Sequence, residues 1–446
     1  MNTPRPNRRH VLAGLAVTFA APALAGPAAA ADSVNAADFG LSEAAGDADQ
    51  GAALQQAIDA AARAGGELRL PAGRYHVGTL RFPGNLRVIG SARGTRLLGF
   101  AGATVARIDA GSGFVLESVT LGGSAADAPA LVIEDADAVT IRACTFGGDG
   151  IGIAARNAGG TIENCDFSAL GDAAIHSQNG RGLLIRGNRI DGCGNAGIRI
   201  WRDVAGRDGA IVTGNAIARI DWQGGGNGQN GNGINVFQAD EVIVADNHIT
   251  DCAFSAVRVN ACRNTQVRGN TCIASGEVAI FSEFGFSGSV IAGNIVDGAA
   301  TGIDITNLDT GGHLATCTGN IVRNILPRSA VNPDTVPVGI YAEADTVVAG
   351  NVVETCPGVG IAAGYGPFVR NVSISGNVLT GCAIGIGVTV VDDPRVGAVQ
   401  VSGNLVAGAS RAGVAGMEWQ NVVSDDLARD AARYPHVTIA DNIVAG

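Results

Sequence analysis

Three carboxylates, Glu283, Asp304 and Glu343, stand at outward positions of short apolar runs of the form Gly-Ile-x-Ile-x, with Arg258 and His176 at the corresponding place in earlier runs. Two carboxylates across a glycosidic bond can hydrolyse it, one as general acid and the other as base or nucleophile. Arginine beside a sugar carboxylate neutralises it, and a base such as His176 or Tyr341 can then take the adjacent proton in an elimination. Glu283, Asp304, Glu343, Arg258 and His176 are therefore the candidate catalytic residues. Arg199, Trp201, Asn235, Phe237, Asn260, Phe281 and Tyr341 share their columns and are the candidate substrate-binding residues. Aromatic rings and planar hydrogen-bonding groups on a ridged surface suit sugars, whose rings have apolar faces and hydroxyl rims.

These residues can meet only if the runs stack. A second pattern, two residues, then Gly or Asp, then Asn, then an apolar pair, recurs at Asn188, Asn215, Asn247, Asn270, Asn294, Asn320, Asn351, Asn377, Asn404 and Asn442. The spacings are 27, 32, 23, 24, 26, 31, 26, 27 and 38 residues, as expected of loops inserted into a fixed coil. Weaker copies lie at 162–167 and 141–146. About ten residues after each Asn comes a Gly-Ile-x-Ile run. The runs are too short for helices and alternate with period two.

A coil of this length cannot bury its own apolar face, but stacked coils can, with parallel strands about 4.8 Å apart. The predicted fold is all-β, a single-stranded right-handed parallel β-helix (solenoid) of about a dozen coils. The turn Asn residues should form an amide ladder. Carboxylates on adjacent coils would lie roughly 5–7 Å apart.

Read column by column, the outward positions are Gly152, His176, Arg199, Asn235, Arg258, Phe281, Asp304, Tyr341, Ala362, Gly387 and Ala415, and beside them Ala154, Gln178, Trp201, Phe237, Asn260, Glu283, Thr306, Glu343, Gly364, Thr389 and Met417. Chemistry-bearing residues fill the middle; the C-terminal coils read as a featureless end. The Gly/Asn-rich insert 221–233 reads as a flexible cleft wall. It lacks the Asp of calcium-binding β-rolls and the Lys-Ser/Thr of a phosphate loop. No cofactor is expected, and a calcium-dependent lyase would want a tighter acidic cluster than these residues form. The pair Asp392-Asp393 reads as a turn feature.

Composition agrees. There are 66 Gly among 446 residues and only 4% aromatics, which suits short strands and tight turns. The formal charge is −11 and becomes three units more negative once residues 1–31, with Arg5, Arg8, Arg9 and no acid, are removed. That argues against nucleic acid as partner. Of the nine Cys, Cys193, Cys252, Cys356 and Cys382 each follow a repeat Asn by five residues, in register with Ala169, Ile220, Ala299, Ile325 and Ala409. This reads as an inward column of buried thiols, although Cys356 and Cys382 sit on adjacent coils, where a disulfide is sterically open.

Residues 1–31 read as a signal peptide: a basic start with Arg8-Arg9, an apolar run from Val11 to Ala25, and small-residue cleavage sites. Asn7 to Gly14 resembles a twin-arginine signal. The expected location is periplasmic or secreted, with the twin-arginine export machinery as the precursor's partner, a polysaccharide or glycan as the mature protein's, and no membrane anchor in the mature chain. Residues 32–75 read as an N-terminal cap with one helix over 49–64, and 76–446 as the β-helix repeats.

Asp38-Phe39-Gly40, Asp49, Ile58-Asp59-Ala60-Ala61, Gly65-Gly66 and Pro71-Ala72-Gly73-Arg74-Tyr75 resemble the opening of the pectate-lyase-like superfamily of right-handed parallel β-helix proteins. Asp49-Gln50-Gly51 stands where that superfamily usually has Asp-Asp-Thr. With the signal and the Gly-Asn repeats, the whole chain resembles the twin-arginine-exported β-helix repeat proteins, to which no activity is assigned. The resemblance implies the fold and an N-terminal cap. It leaves open a polysaccharide lyase, a glycoside hydrolase or a non-catalytic glycan-binding, adhesin-like or structural protein, because the superfamily hosts all of these. The Asn-Thr-Asp and Asp-Asp of polygalacturonase-type hydrolases have no clean copy; Ile303-Asp304-Ile305-Thr306-Asn307 has the ingredients in another order.

Overall fold

The structure, a computed structural model, describes residues 33–446 apart from 124–127 and 149. The expected signal peptide lies outside the described residues. Each coil carries three short strands, and like strands of successive coils pair in parallel. One face is a sixteen-stranded sheet with one strand per coil. The coils are thus more numerous than the repeats alone suggest, because the first ones lack the Gly-Asn signature. Ser33–Asn35 and Glu67–Arg69 are already the first two members of that face, so stacking begins inside residues 32–75.

A typical coil runs from Ile243–Ala245 on the first face, through a turn at Asp246-Asn247, to His248–Cys252 on the second and Val257–Asn260 on the third. The turn needs a left-handed residue, which is why glycine precedes Asn so often: Gly187, Gly214, Gly269, Gly293 and Gly319 have φ between 63° and 66°. Asp246 and Asp441 take the same conformation at 57° and 55°, as short polar side chains tolerate it.

The expected amide ladder forms. Asn270 donates its backbone N–H and its Nδ2 to Oδ1 of Asn294 at 2.9 and 3.0 Å, and Nδ2 also donates to the Val244 carbonyl at 3.0 Å. The pattern repeats from Asn188 to Asn442, so each amide satisfies the turn of its neighbour. In the weak copies it is Cys165, not Asn164, that stands in the ladder: the Cys165 N–H donates to Asn188 Oδ1 at 3.0 Å, while Asn164 occupies the left-handed place with φ 52°. That shift carries the inward column with it, so Leu170 rather than Ala169 pairs with Cys193.

Inward residues stack into one continuous core, as in the row Ile303, Ile340, Ile361, Ile386, all fully buried. Burying each is worth about 1.5–3 kcal/mol relative to exposure. All nine Cys are free and buried; Cys356 and Cys382 are paired in register without a disulfide. The helix expected over 49–64 forms at Gly51–Arg63, with Leu54, Ala57, Ile58 and Ala61 buried and packed toward the first strands. Among the described residues no helix is long and apolar enough to cross a membrane.

Candidate functional site

The two outward columns exist on the third face. His176, Arg199, Asn235, Arg258, Phe281, Asp304 and Tyr341 pair successively, followed by Ala362, Gly387 and Ala415. Only the start differs: Ala154 and Arg156, not Gly152 and Ala154, lie beside His176 and Gln178.

The middle of the face is closed. Arg258 Nε and one terminal nitrogen grip both oxygens of Glu283 at 2.6 and 2.8 Å, and its other terminal nitrogen reaches Glu277 at 2.9 Å. Asn260 donates to Glu283 as well, at 2.7 Å. Arg258, Glu277 and Glu283 are all buried, and the guanidinium lies over the Phe281 ring. Glu283 and Arg258, expected as catalytic residues, are therefore partners in a buried ion cluster. Two loops cover the cluster. The glycine-rich insert is not a loose wall: a Cβ at Gly228 would lie 2.3 Å from Arg258 Cζ, so glycine lets the loop rest on the guanidinium. Asn332, from the insert after Ile325, donates to Glu277 at 2.8 Å.

Toward the N-terminus, Arg199 is held by Asp172 through two bonds of 2.9 Å and is buried beneath Asn230 of the same glycine-rich insert. Burial disfavours the Asp172 carboxylate, but the Arg199 bonds outweigh it and hold its pKa below the usual range. Asn235 is buried, bonded to the insert and to Trp201 Nε1. Trp201, Phe237 and His176 are half-buried and meet edge to face, with His176 5.2 Å and Phe237 6.1 Å from Trp201. Burial lowers the His176 pKa, so the ring is neutral at pH 7.

Beyond the ion cluster the surface opens again. Tyr341 donates to Glu343 Oε1 at 3.0 Å, and the Leu308 N–H donates to Oε2 at 2.7 Å. Burial nevertheless pushes the Glu343 carboxyl up to about 7. Asp304, beside Tyr341 in register, is driven well above the carboxylate range by burial and then by the neighbouring Glu343 charge; its Oδ1 is buried without a partner.

Glu343 and Tyr341 stand at one end of a cavity of about 440 Å³ over the C-terminal coils. That end of the face is not featureless, as its small residues suggested. Ala362 and Gly387 leave room, and two turns raise walls around them. One is Tyr365-Gly366-Pro367-Phe368, closed by an antiparallel bridge. The other is the hairpin of Ala412–Glu418 and Asn421–Ser424. Trp419 at the hairpin tip meets Tyr365 edge to face at 5.0 Å and packs on Gly366, where a Cβ would lie 2.4 Å from the indole. Trp419 is 49% exposed at φ 56°, a conformation that costs a bulky residue about 1–2 kcal/mol. Tyr365, Trp419 and Arg411, which also lines the cavity, were missed by alternation because they sit on turns. Asp393 is the partner of Arg395 on its own turn. Among the described residues no three His, Cys, Asp or Glu side chains group to hold a metal ion.

Residues 129–324 match the family model described as right handed beta helix region, in agreement with the right-handed parallel β-helix fold of the stacked strands. It is similar to pre-mature gene product 12 of bacteriophage phi29, at 14% identity and TM-score 0.55, covering 86% of this chain and 63% of that one. It is also similar to PfbA, a surface adhesin of Streptococcus pneumoniae, at 14% identity and TM-score 0.49 over 88% of this chain and 95% of that one. A mannuronic acid specific polysaccharide family 6 lyase from human gut microbiota aligns at 14% identity and TM-score 0.49 over 93% and 86%. At these identities what is shared is the fold. No curated protein matches the sequence.

Proposed function

We propose that this is an exported, periplasmic or secreted, carbohydrate-interacting protein whose glycan occupies the C-terminal cavity, with Glu343 as its proton-transfer group. The observation that carries this reading is the pairing of a Trp419–Tyr365 aromatic wall with a carboxyl pushed up to about 7 in the same cavity. A sugar ring can lay its apolar face on the indole, and a group titrating near neutrality can both accept and return a proton. Asp304 does not line the cavity, whereas Asp334, on the insert after Ile325, lines it together with Glu343. Glu343 is the group offered for proton transfer in an elimination, as in a polysaccharide lyase, and Asp334 supplies the second carboxylate that hydrolysis needs. The half-buried Phe237 and Trp201 lie four and five coil steps from Glu343, about 19 and 24 Å along the same face, and serve as an outlying contact for a long chain.

The test is a screen of the mature protein against neutral and acidic polysaccharides, following the ultraviolet absorbance of unsaturated products and the appearance of reducing ends. Turnover abolished by Glu343→Gln with binding retained supports an enzyme. Binding without turnover, lost in Trp419→Ala, supports the non-catalytic reading. Neither binding nor turnover across the panel overturns the proposal.

A further inference from the structure

The floor of the cavity is unlike a surface made for a bare sugar. Two parallel rows of outward residues run under it. One is Val338, Val359, Ile384 and Ala412; beside it, after Tyr341, come Ala362, Gly387 and Ala415. These side chains point away from the solenoid core, yet Val359, Ala362 and Ile384 are between 4% and 8% exposed and form an apolar cluster separate from it. The floor itself is apolar, and polar side chains stand around it: Asp334 and Gln420 on flanking loops, Thr389 beside it, and the others at the two axial ends. Glu343 and the Tyr341 hydroxyl belong to the earlier coil. Arg411 belongs to the last and has no carboxylate within 4 Å among the described residues. A fully hydroxylated ring would leave its inner hydroxyls against Val359 and Ile384 without partners, which costs binding energy.

We propose that the cavity takes an acyl-substituted sugar, with an acetyl methyl seated on the floor of Ala362, Val359 and Ile384 and the acyl carbonyl accepting a hydrogen bond from Arg411. This rests on the glycan reading above and specifies the substrate class for the same site. Gly387 lets the Met417 thioether lie low along the edge of the seat, since even a Cβ there would lie 2.5 Å from Met417 Sδ.

The test uses the mature protein immobilised on a column and a panel of naturally O-acetylated polysaccharides. Each is applied before and after mild alkali removes its esters without altering the backbone. The expected result is tighter retention of the acetylated form by about fourfold or more per bound acetyl, the effect of burying one methyl. Ala362→Leu, which fills the floor from its outward side, should abolish that preference. Arg411→Gln, an exposed change that does not touch the core, should reduce the preference in the same direction. Equal retention of both forms by the wild type overturns the acyl inference and leaves the glycan reading standing. An acetyl preference undiminished in both variants overturns the seat. Retention of no polysaccharide in either form overturns the glycan reading and the inference with it.

Discussion

Tyr341 donates its hydroxyl proton to Glu343, two residues along the same strand, while the Leu308 N–H holds the other carboxylate oxygen. Both donors favour the charged carboxylate, yet burial wins and leaves the group titrating at about 7, against 4.5 when unperturbed. The folded state therefore binds this proton more tightly than the unfolded chain. Its contribution to stability is largest below pH 4.5 and is lost as pH rises to about 7, beyond which it is flat. Asp304 acts with the same sign. In Glu343→Gln, whose amide can accept from Leu308 and donate to Tyr341, that part of the slope should vanish. Denaturant midpoints of both proteins across this pH range, compared as a difference, would show it; parallel curves would refute the raised pKa.

Arg258 should be a stability residue. Its removal leaves Glu277 and Glu283 buried with no cation, a situation that costs about 3–5 kcal/mol. Arg258→Met is expected to lower the unfolding midpoint sharply and to unseat the glycine-rich insert resting on the guanidinium. A variant with native stability and selectively lost turnover would return Arg258 to the active site.

The amide ladder should fail more severely in the middle than at its end. Asn294→Ala strips the acceptor from the Asn270 N–H and Nδ2 and the donor from the Val267 carbonyl, at about 1–3 kcal/mol for each buried group left unpaired. Asn442→Ala, at the last and half-buried rung, should cost less. Equal losses in chemical unfolding would mean that the rungs do not depend on one another.

The thiols should be silent. Burial pushes Cys193, Cys262, Cys272 and Cys317 up to about 12, so a thiol reagent at neutral pH should label none of the nine in the folded protein and all nine after denaturation. Seven after denaturation would reveal the Cys356–Cys382 disulfide that the spacing left open.

Strand alternation made the third face legible: from His176 to Tyr341 the outward columns read from the sequence are the columns in space, because period two leaves one register that buries the Ile and Val rows. The Asn ladder was legible for a similar reason, one residue type recurring at one turn. What escaped was everything that crosses between elements. Glu277 and Asp172, the counter-ions that turn Arg258 and Arg199 inward, lie outside the two columns. The insert 221–233 looked mobile because it is rich in glycine, whereas glycine is what lets it pack. The C-terminal coils looked empty because Ala362 and Gly387 are small, and a pocket needs small residues on its floor. The available signal was a Trp at a hairpin tip and a Tyr-Gly-Pro-Phe turn on that same end of the chain.

The central claim is that the ligand sits in the C-terminal cavity and not over the covered middle of the face. The most direct measurement is the affinity of one retained oligosaccharide for the wild type, Trp419→Ala and Trp201→Ala. At least about a tenfold loss is expected for Trp419→Ala, in the range of an aromatic contact buried by the ligand, and a small loss for Trp201→Ala that appears only with long chains. Affinity that survives Trp419→Ala and collapses in Trp201→Ala would contradict it and move the site to the N-terminal half.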